Sequence, residues 1–372
     1  MSPERDVSLS SGCMIANALI ENGHNALLAD LYMGILAVRN FADAYKKYKK
    51  DHYEYTVPEE EPDLDAVKAA RAEGGDQQIG EGIIQVCSNA DMTFLALHGD
   101  IGENGRLQAV FDVYGIAYTG TGYEGSFMAM DKPLAKELMR IHGIDTPDWT
   151  VFDTARADGA HSHNAHNRDD HSHDAHSRDA YNRDDHYRDA LRSVGFPCFI
   201  KPCGCGSSVG VSLVNNYDEL DAALRYAYKY EKRVMAEKKI AGREFSIGVL
   251  GGESLPPIEI IPRVGFFDYY NKYQNGGAHE VCPARDLPQS AEKAMRDAAL
   301  KLHNILRLGD YSRLDVILSE DGKVYCLETN ALPGMTPTSL LPKEAAAAGI
   351  SYPQLCEKIV NLALARHAFG CC

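Results

Sequence analysis

Two alternating apolar and polar runs, "SRLDVILS" and "KVYCLETN", meet at Asp321-Gly322, the strongest short-range signal for a tight antiparallel hairpin. A two-residue turn there sets Asp315 opposite Glu328 and Arg313 opposite Asn330, with all four on one face. Leu314, Val316, Leu318, Tyr325 and Leu327 are then expected to face the core. Two opposed carboxylates repel, and Lys323 at the turn stands too far away to relieve them. A hard cation held by oxygen ligands resolves the conflict, Mg²⁺ being the usual choice where phosphates complete the shell. Taken alone, the pattern also describes a solvated polar sheet face.

The 372 residues suffice for two or three domains with substantial cores. A net charge of −15 argues against a general nucleic-acid or anionic-membrane binder, since the long-range field repels polyanions. No apolar run is long enough to span a bilayer and no signal peptide is legible, so the expected location is cytoplasmic. The ten cysteines are then expected as reduced thiols, and Cys203, Cys205, Cys371 and Cys372 lack partners at zinc-binding spacing.

Alternating elements over residues 1–121 indicate an α/β domain: a helix in "CMIANALIENG", a buried strand in "MTFLALHGD", and a helix in "RLQAVFDVYGI" closed by Gly115. "DKPLAKELMRIHGI" opens a further helix, with Asp131 as its N-cap and Pro133 in its first turn. Residues 155–190 break the pattern. Arg168, Arg178 and Arg188 recur every ten residues among seven histidines, with almost no apolar content. Such a tract cannot bury enough surface to order itself, and it reads as an exposed, disordered insertion with no catalytic part. Order returns with strands in "FPCFIKP", "RVMAEKKI" and "REFSIGVLGG". Helices follow in "DELDAALRYAYKY", "SAEKAMRDAALKLHNILRLG" and "SYPQLCEKIVNLALARHAFG".

In "IKPCGCGSSVGVS", Lys201 ends a strand and glycines with Ser207 and Ser208 fill the turn. Glycines let backbone N–H groups approach an anion, and the Lys adds positive charge. The order differs from a Walker A loop, where the Lys follows the glycines and opens a helix. This turn joins strand to strand, as a flap over a nucleotide would.

Glycine turn, oxygen-bearing hairpin and "LPGMT" occur in the order of the ATP-grasp carboxylate-amine ligases, and the chain most resembles the D-alanine-D-alanine ligase family. "SPERDVSLSSG", "LHGDIGENGRLQ" and "GTGYEGSFMAMDKPLAK" are similar to that family's successive substrate motifs. "FFDYYNKY" resembles its mobile loop, and "CLETNALPGMTPTSLLP" its metal and second-substrate segment. The matches run in order from Ser2 to about residue 364 and omit only the His-rich insertion. The resemblance implies an α/β (α+β) chain with an ATP-grasp fold behind an N-terminal parallel-sheet domain. It divides the chain into 1–121, a central subdomain 122–236 and a C-terminal subdomain 237–372. Relatives begin with a strand and a Gly-Gly turn before "SPERDVSLSSG", so the first domain is expected to lack its first strand.

The implied reaction joins two D-alanines, with ATP as cosubstrate and an acyl phosphate as intermediate, for cell-wall precursor synthesis. Lys132, Lys201 and Lys272 would hold the phosphates; Glu237, Lys238, Ile240 and Glu244 would line the adenine and ribose pocket. Asp315, Glu328 and Asn330 would bind two Mg²⁺ or Mn²⁺ ions. Arg313 and the N–H of Gly334 would stabilise the tetrahedral oxyanion. Glu4, with Val7 and His98 beside it, would take the first D-alanine, and Ser339 and Leu340 the carboxylate of the second. Glu4, Ser207 and Tyr273 would form a hydrogen-bonded triad, and Tyr273 favours an amine nucleophile over D-lactate. A homodimer is expected, without nucleic acid or membrane partners. A D-alanine-D-serine ligase and an inactive nucleotide-binding relative are the alternatives.

Overall fold

The structure is a computed structural model that describes residues 2–58, 62–71, 77–153, 187, 189–206, 208–262 and 278–368. The hairpin between β9 (Tyr311–Ser319) and β10 (Val324–Asn330) forms, though not through a two-residue turn. Ser319 donates its N–H to the Lys323 carbonyl at 2.9 Å, which leaves Glu320, Asp321 and Gly322 in the loop. Gly322 has φ of 81°, as a three-residue hairpin loop requires. Pairing therefore starts with Val324 opposite Leu318 and Cys326 opposite Val316. A bulge between Cys326 and Glu328 then accommodates Leu327 and restores Asp315 opposite Glu328 and Arg313 opposite Asn330. The bulge also switches the face on which residues point. Cys326 and Thr329 are buried, while Tyr325 and Leu327, expected in the core, are only half-buried. Leu314, Val316 and Leu318 are buried as expected.

This hairpin edges a sheet ordered β10-β9-β5-β7-β8, in which β5 is Gly242–Leu250, β7 Ile258–Pro262 and β8 Ala278–Val281; β6 (Glu253–Ser254) pairs with β5. Every pairing is antiparallel. A second antiparallel sheet has the order β1-β4-β2-β3, from Trp149–Asp153, Arg233–Lys238, Cys198–Pro202 and Ser212–Val214 respectively. The helices are α1 (Arg5–Glu21), α2 (Phe41–Tyr48), α3 (Leu64–Ala70), α4 (Ile83–Cys87), α5 (Arg106–Tyr114), α6 (Tyr123–Met130) and α7 (Lys132–Ile141). Then come α8 (Tyr217–Ala227), α9 (Gln289–Ile305), α10 (Leu340–Ala347) and α11 (Tyr352–Ala368).

Helix α9 buries Ala291, Met295, Ala299 and Leu302, spaced three and four residues apart, against Phe245, Ile247, Leu314 and Val316. Each large apolar side chain so covered is worth about 1.5–3 kcal/mol. Helix α8 covers the smaller sheet with Leu220, Ala223, Leu224 and Ala227. Asp131 caps α7 by accepting the Leu134 N–H at 3.1 Å, with Pro133 in the first turn, and Gly115 closes α5 at φ 63°.

Two further expectations change. The tract 155–190 lies outside the described residues from 155 to 186, but its end is built into the fold. Tyr187 packs its ring 5.2 Å from that of Phe152, and Leu191 is buried in the same cluster. Apolar Tyr187, Ala190 and Leu191 supply the surface that the histidine repeats lack. "MTFLALHGD" is an extended segment with a single parallel bridge, Thr93 to Tyr118, rather than a laddered strand. The eight cysteines described are free thiols.

Candidate active site

Glycine turn, β4, α7 and the hairpin are tied together by three lysines and two glutamates. Lys132, the first residue of α7, reaches the Cys205 carbonyl at 2.6 Å and lies 3.6 Å from Glu328 Oε2. Its own N–H bonds the Cys203 carbonyl at 3.1 Å. One side chain thus spans the glycine turn and the hairpin. Lys201, ending β2, pairs with Glu237 on β4 at 2.6 Å, and Lys136 pairs with the same carboxylate at 2.6 Å. Burial opposes charge on Lys201, but Glu237 and then Glu328 more than reverse it and raise its pKa. Burial lowers Lys136 despite Glu237, and burial of Glu237 is more than offset by the two lysines, which lower its carboxyl. Glu237, expected beside adenine, is first of all the shared counter-ion of two lysines.

The hairpin carboxylates have cations after all. Arg313 grips both oxygens of Asp315 at 2.8 Å, and Asn330 donates to Asp315 at 3.1 Å. Asp315 beneath it, with Glu344 and Glu328 nearby, raises the pKa of Arg313 against its burial, so it stays charged. The repulsion inferred from the sequence is therefore relieved within the chain by Arg313 and Lys132. An all-oxygen set of Asp315, Glu328 and Asn330 side by side still fits a hard divalent cation that takes its remaining ligands from phosphate and water.

The N-terminal motif closes this face. Glu4 is buried, and its Oε2 would lie 2.6 Å from a Cβ on Gly99 and 3.4 Å from one on Gly206. Gly99, at φ 70°, has no side chain to displace it. The Gly99 N–H bonds Glu103 at 2.9 Å; burial and then the Glu4 charge push Glu103 up to about 8. His98 sits 3.1 Å from Ser11 Oγ, and burial lowers its pKa, so the ring is neutral. Val7 is buried on the same helix.

Ser339 precedes α10, 2.8 Å from Thr336 Oγ1, and its Oγ lies 2.9 Å from where Gly334 would carry a Cβ. Leu340 packs on Ile258 and Ile260. Lys238 is exposed at the end of β4, Ile240 is half-buried in the following loop, and Glu244 is half-buried on β5. Ser207, Lys272 and Tyr273 lie outside the described residues. Missed in the sequence were Lys136, Glu103 and Glu231, whose carboxylate accepts the Gly204 N–H at 2.6 Å. Lys136 was findable, because it stands one helical turn beyond Lys132.

A family profile described as D-ala D-ala ligase N-terminus matches residues 1–121, and one described as D-ala D-ala ligase C-terminus matches residues 173–361. The chain belongs to the D-ala D-ala ligase family. It is 35% identical over 361 residues to the D-alanine--D-alanine ligase of Pediococcus pentosaceus, covering 96% of this chain and 94% of that protein. Against the D-alanine--D-alanine ligase of Nitratidesulfovibrio vulgaris, identity is 40% over 285 residues, 76% of this chain and 84% of the relative. Among solved structures, the Bacillus anthracis D-alanine--D-alanine ligase complexed with ATP superposes with a TM-score of 0.61 at 32% identity, covering 77% and 84%. The VanG D-Ala:D-Ser ligase of Enterococcus faecalis gives 0.61 at 30%, covering 74% and 73%. Both ligase-family profiles fall on the segments that supply Glu4, the glycine turn and the hairpin.

Proposed function

We propose that this chain is an ATP-dependent D-alanine-D-alanine ligase acting in cell-wall precursor synthesis. The observation that carries the reading is the convergence of Glu4, the glycine turn and the Arg313–Asp315 hairpin in a member of this family. ATP transfers its γ-phosphoryl to the carboxylate of a first D-alanine, giving ADP and an acyl phosphate. The amine of a second D-alanine attacks the acyl carbon, loses a proton, and expels inorganic phosphate to leave the dipeptide.

Glu4 carries the negative charge that holds the first ammonium, and neutral His98 offers hydrogen bonding without competing for it. Lys132, Lys201 and Lys272 bind the phosphates, while Glu237, Lys238, Ile240 and Glu244 line the nucleotide. Asp315, Glu328 and Asn330 would hold the divalent cations. When bound, these ions neutralise phosphate charge that the carboxylates alone would repel. Arg313 and the Gly334 N–H face the oxyanion that develops on attack. Ser339 with the Leu340 and Leu341 N–H groups opening α10 takes the second carboxylate. Val7 and Leu340 are apolar walls, and Ser207 and Tyr273 complete the triad with Glu4.

The domain limits given above, a homodimeric assembly and a cytoplasmic setting belong to the same reading. No helix among the described residues is long and apolar enough to cross a membrane. The D-Ala:D-Ser ligase among the structural neighbours favours D-serine as the second reading for the incoming amine. Competition between D-alanine and D-serine, with products identified by mass, decides it. A predominance of D-alanyl-D-serine would overturn the choice of second substrate.

A further inference from the structure

Lys136 has no part in the reaction described above, yet it is one of the most deeply enclosed charges in the chain. Its side chain is 1% exposed and that of Glu237 is 4% exposed. The side chain of Lys201, on the other oxygen of the same carboxylate, is 12% exposed. One lysine is therefore sealed in, while the other stands at the foot of the glycine turn and keeps an opening to the site.

The surroundings of Lys136 suit its ammonium form. Its Nζ lies 2.6 Å from Glu237 Oε2, 2.5 Å from Thr146 Oγ1 and 3.4 Å from the Pro147 carbonyl. A carboxylate and a carbonyl have no hydrogen to give, so three acceptors meet the three N–H groups of an ammonium. The Trp149 ring stands 5.3 Å from the same nitrogen, and Arg140 covers that ring at 4.1 Å. Trp149 is also the cross-strand partner of Glu237, which closes the pocket from the β1 side. Burial opposes the charge on Lys136 and Glu237 supports it.

The charge count gives this arrangement a consequence. Glu237 offers one negative charge to two lysines, Oε1 to Lys201 and Oε2 to Lys136, each at 2.6 Å. With Lys201 alone the buried pair would be neutral, and an arriving phosphate would compete with Glu237 for the same ammonium. Withdrawing one partner from a buried ion pair strands the other charge at high cost. With Lys136 present the group carries one positive charge in excess, and the difference in exposure puts that excess on Lys201.

We propose that Lys136 is a positioning residue for ATP, neutralising Glu237 from inside the fold so that the charge of Lys201 is available to the phosphates. The proposal rests on the reading of Lys201 as a phosphate ligand. Helix α7 then presents two lysines one turn apart with different tasks. Lys132 reaches the glycine turn and the hairpin, and Lys136 acts on the nucleotide only through Glu237 and Lys201.

The test measures the Kd of Mg-ATP by calorimetry, and of adenosine by displacement, on the full chain carrying Lys136→Met, Glu237→Gln, both together, or Lys201→Met. Lys136→Met should weaken Mg-ATP about tenfold or more and adenosine, which has no phosphate charge, by less than about twofold. In the Glu237→Gln background the same substitution should cost less than about threefold, because the charge it compensates is gone. Lys136→Gln, which still donates to Pro147, should repeat the pattern and serves if the methionine variant does not fold. Equal losses for Mg-ATP and adenosine, or a loss undiminished by Glu237→Gln, would overturn the proposal and make Lys136 a structural brace of β4. Lys201→Met with Mg-ATP affinity unchanged would overturn the reading of Lys201 itself, and the proposal with it.

Discussion

Arg313 holds both carboxylate oxygens of Asp315 at 2.8 Å, two residues apart on one strand, so the proposed oxyanion donor and a proposed metal ligand are fixed by each other. Lysine keeps the charge but not the two-pronged geometry. Arg313→Lys should lower kcat about 10²-fold or more, the usual cost of losing an oxyanion donor, with little change in KM for ATP. Steady-state kinetics alongside thermal melting check it. A lower Tm with kcat retained would make the pair structural only.

Glu4 is placed by the absence of a side chain at Gly99. A Cβ there would come within 2.6 Å of the carboxylate and 3.1 Å of Ser2, at a φ of 70° that disfavours alanine. Gly99→Ala should therefore displace Glu4 by a fraction of an ångström to about 1 Å, a shift that can cost about 10²-fold in kcat/KM. The loss should appear in KM for the first D-alanine, with ATP binding intact by calorimetry.

Glu344 on α10 is fully buried, and burial pushes its carboxyl up to about 8, with Arg313 acting the other way. In the unfolded chain it ionises near 4.5. Between those values the folded state keeps a proton that the unfolded state has lost, so stability falls as pH rises from about 4.5 to about 8. Glu344→Gln should match the parent in stability near pH 4.5 and exceed it by a few kcal/mol, at roughly 1.4 per pK unit, near pH 8. Denaturant melts across that range measure it. Glu103 is raised in the same way, so the slope flattens without vanishing.

The ends of the His-rich tract meet. Phe152 on β1 and Tyr187 after the insertion stack edge to face at 5.2 Å. Replacing residues 155–185 by a short Gly-Ser linker should thus close without strain and leave kcat within about twofold, since surface loops tolerate large length changes. A large loss of activity with unchanged Tm would give the tract a functional part.

The functional pairs of the hairpin were legible because two local deviations cancel. The loop is one residue longer than Asp321-Gly322 suggests, and the bulge at Leu327 restores the register. Period-2 reading shows neither, so Cys326 was exchanged for Tyr325 and Leu327 in the expected core. The ion pairs of Lys201 with Glu237 and of Lys136 with the same carboxylate depend on side chains 36 and 101 residues apart, which no local pattern links. Helix caps at Asp131 and Gly115 were legible because their chemistry is local.

The most direct test of the central claim is D-alanine-dependent release of phosphate from Mg-ATP, with the product identified by mass. The account predicts one phosphate released per D-alanyl-D-alanine formed, and negligible release without D-alanine. ATP bound with no D-alanine-dependent release, or release without dipeptide, would contradict it.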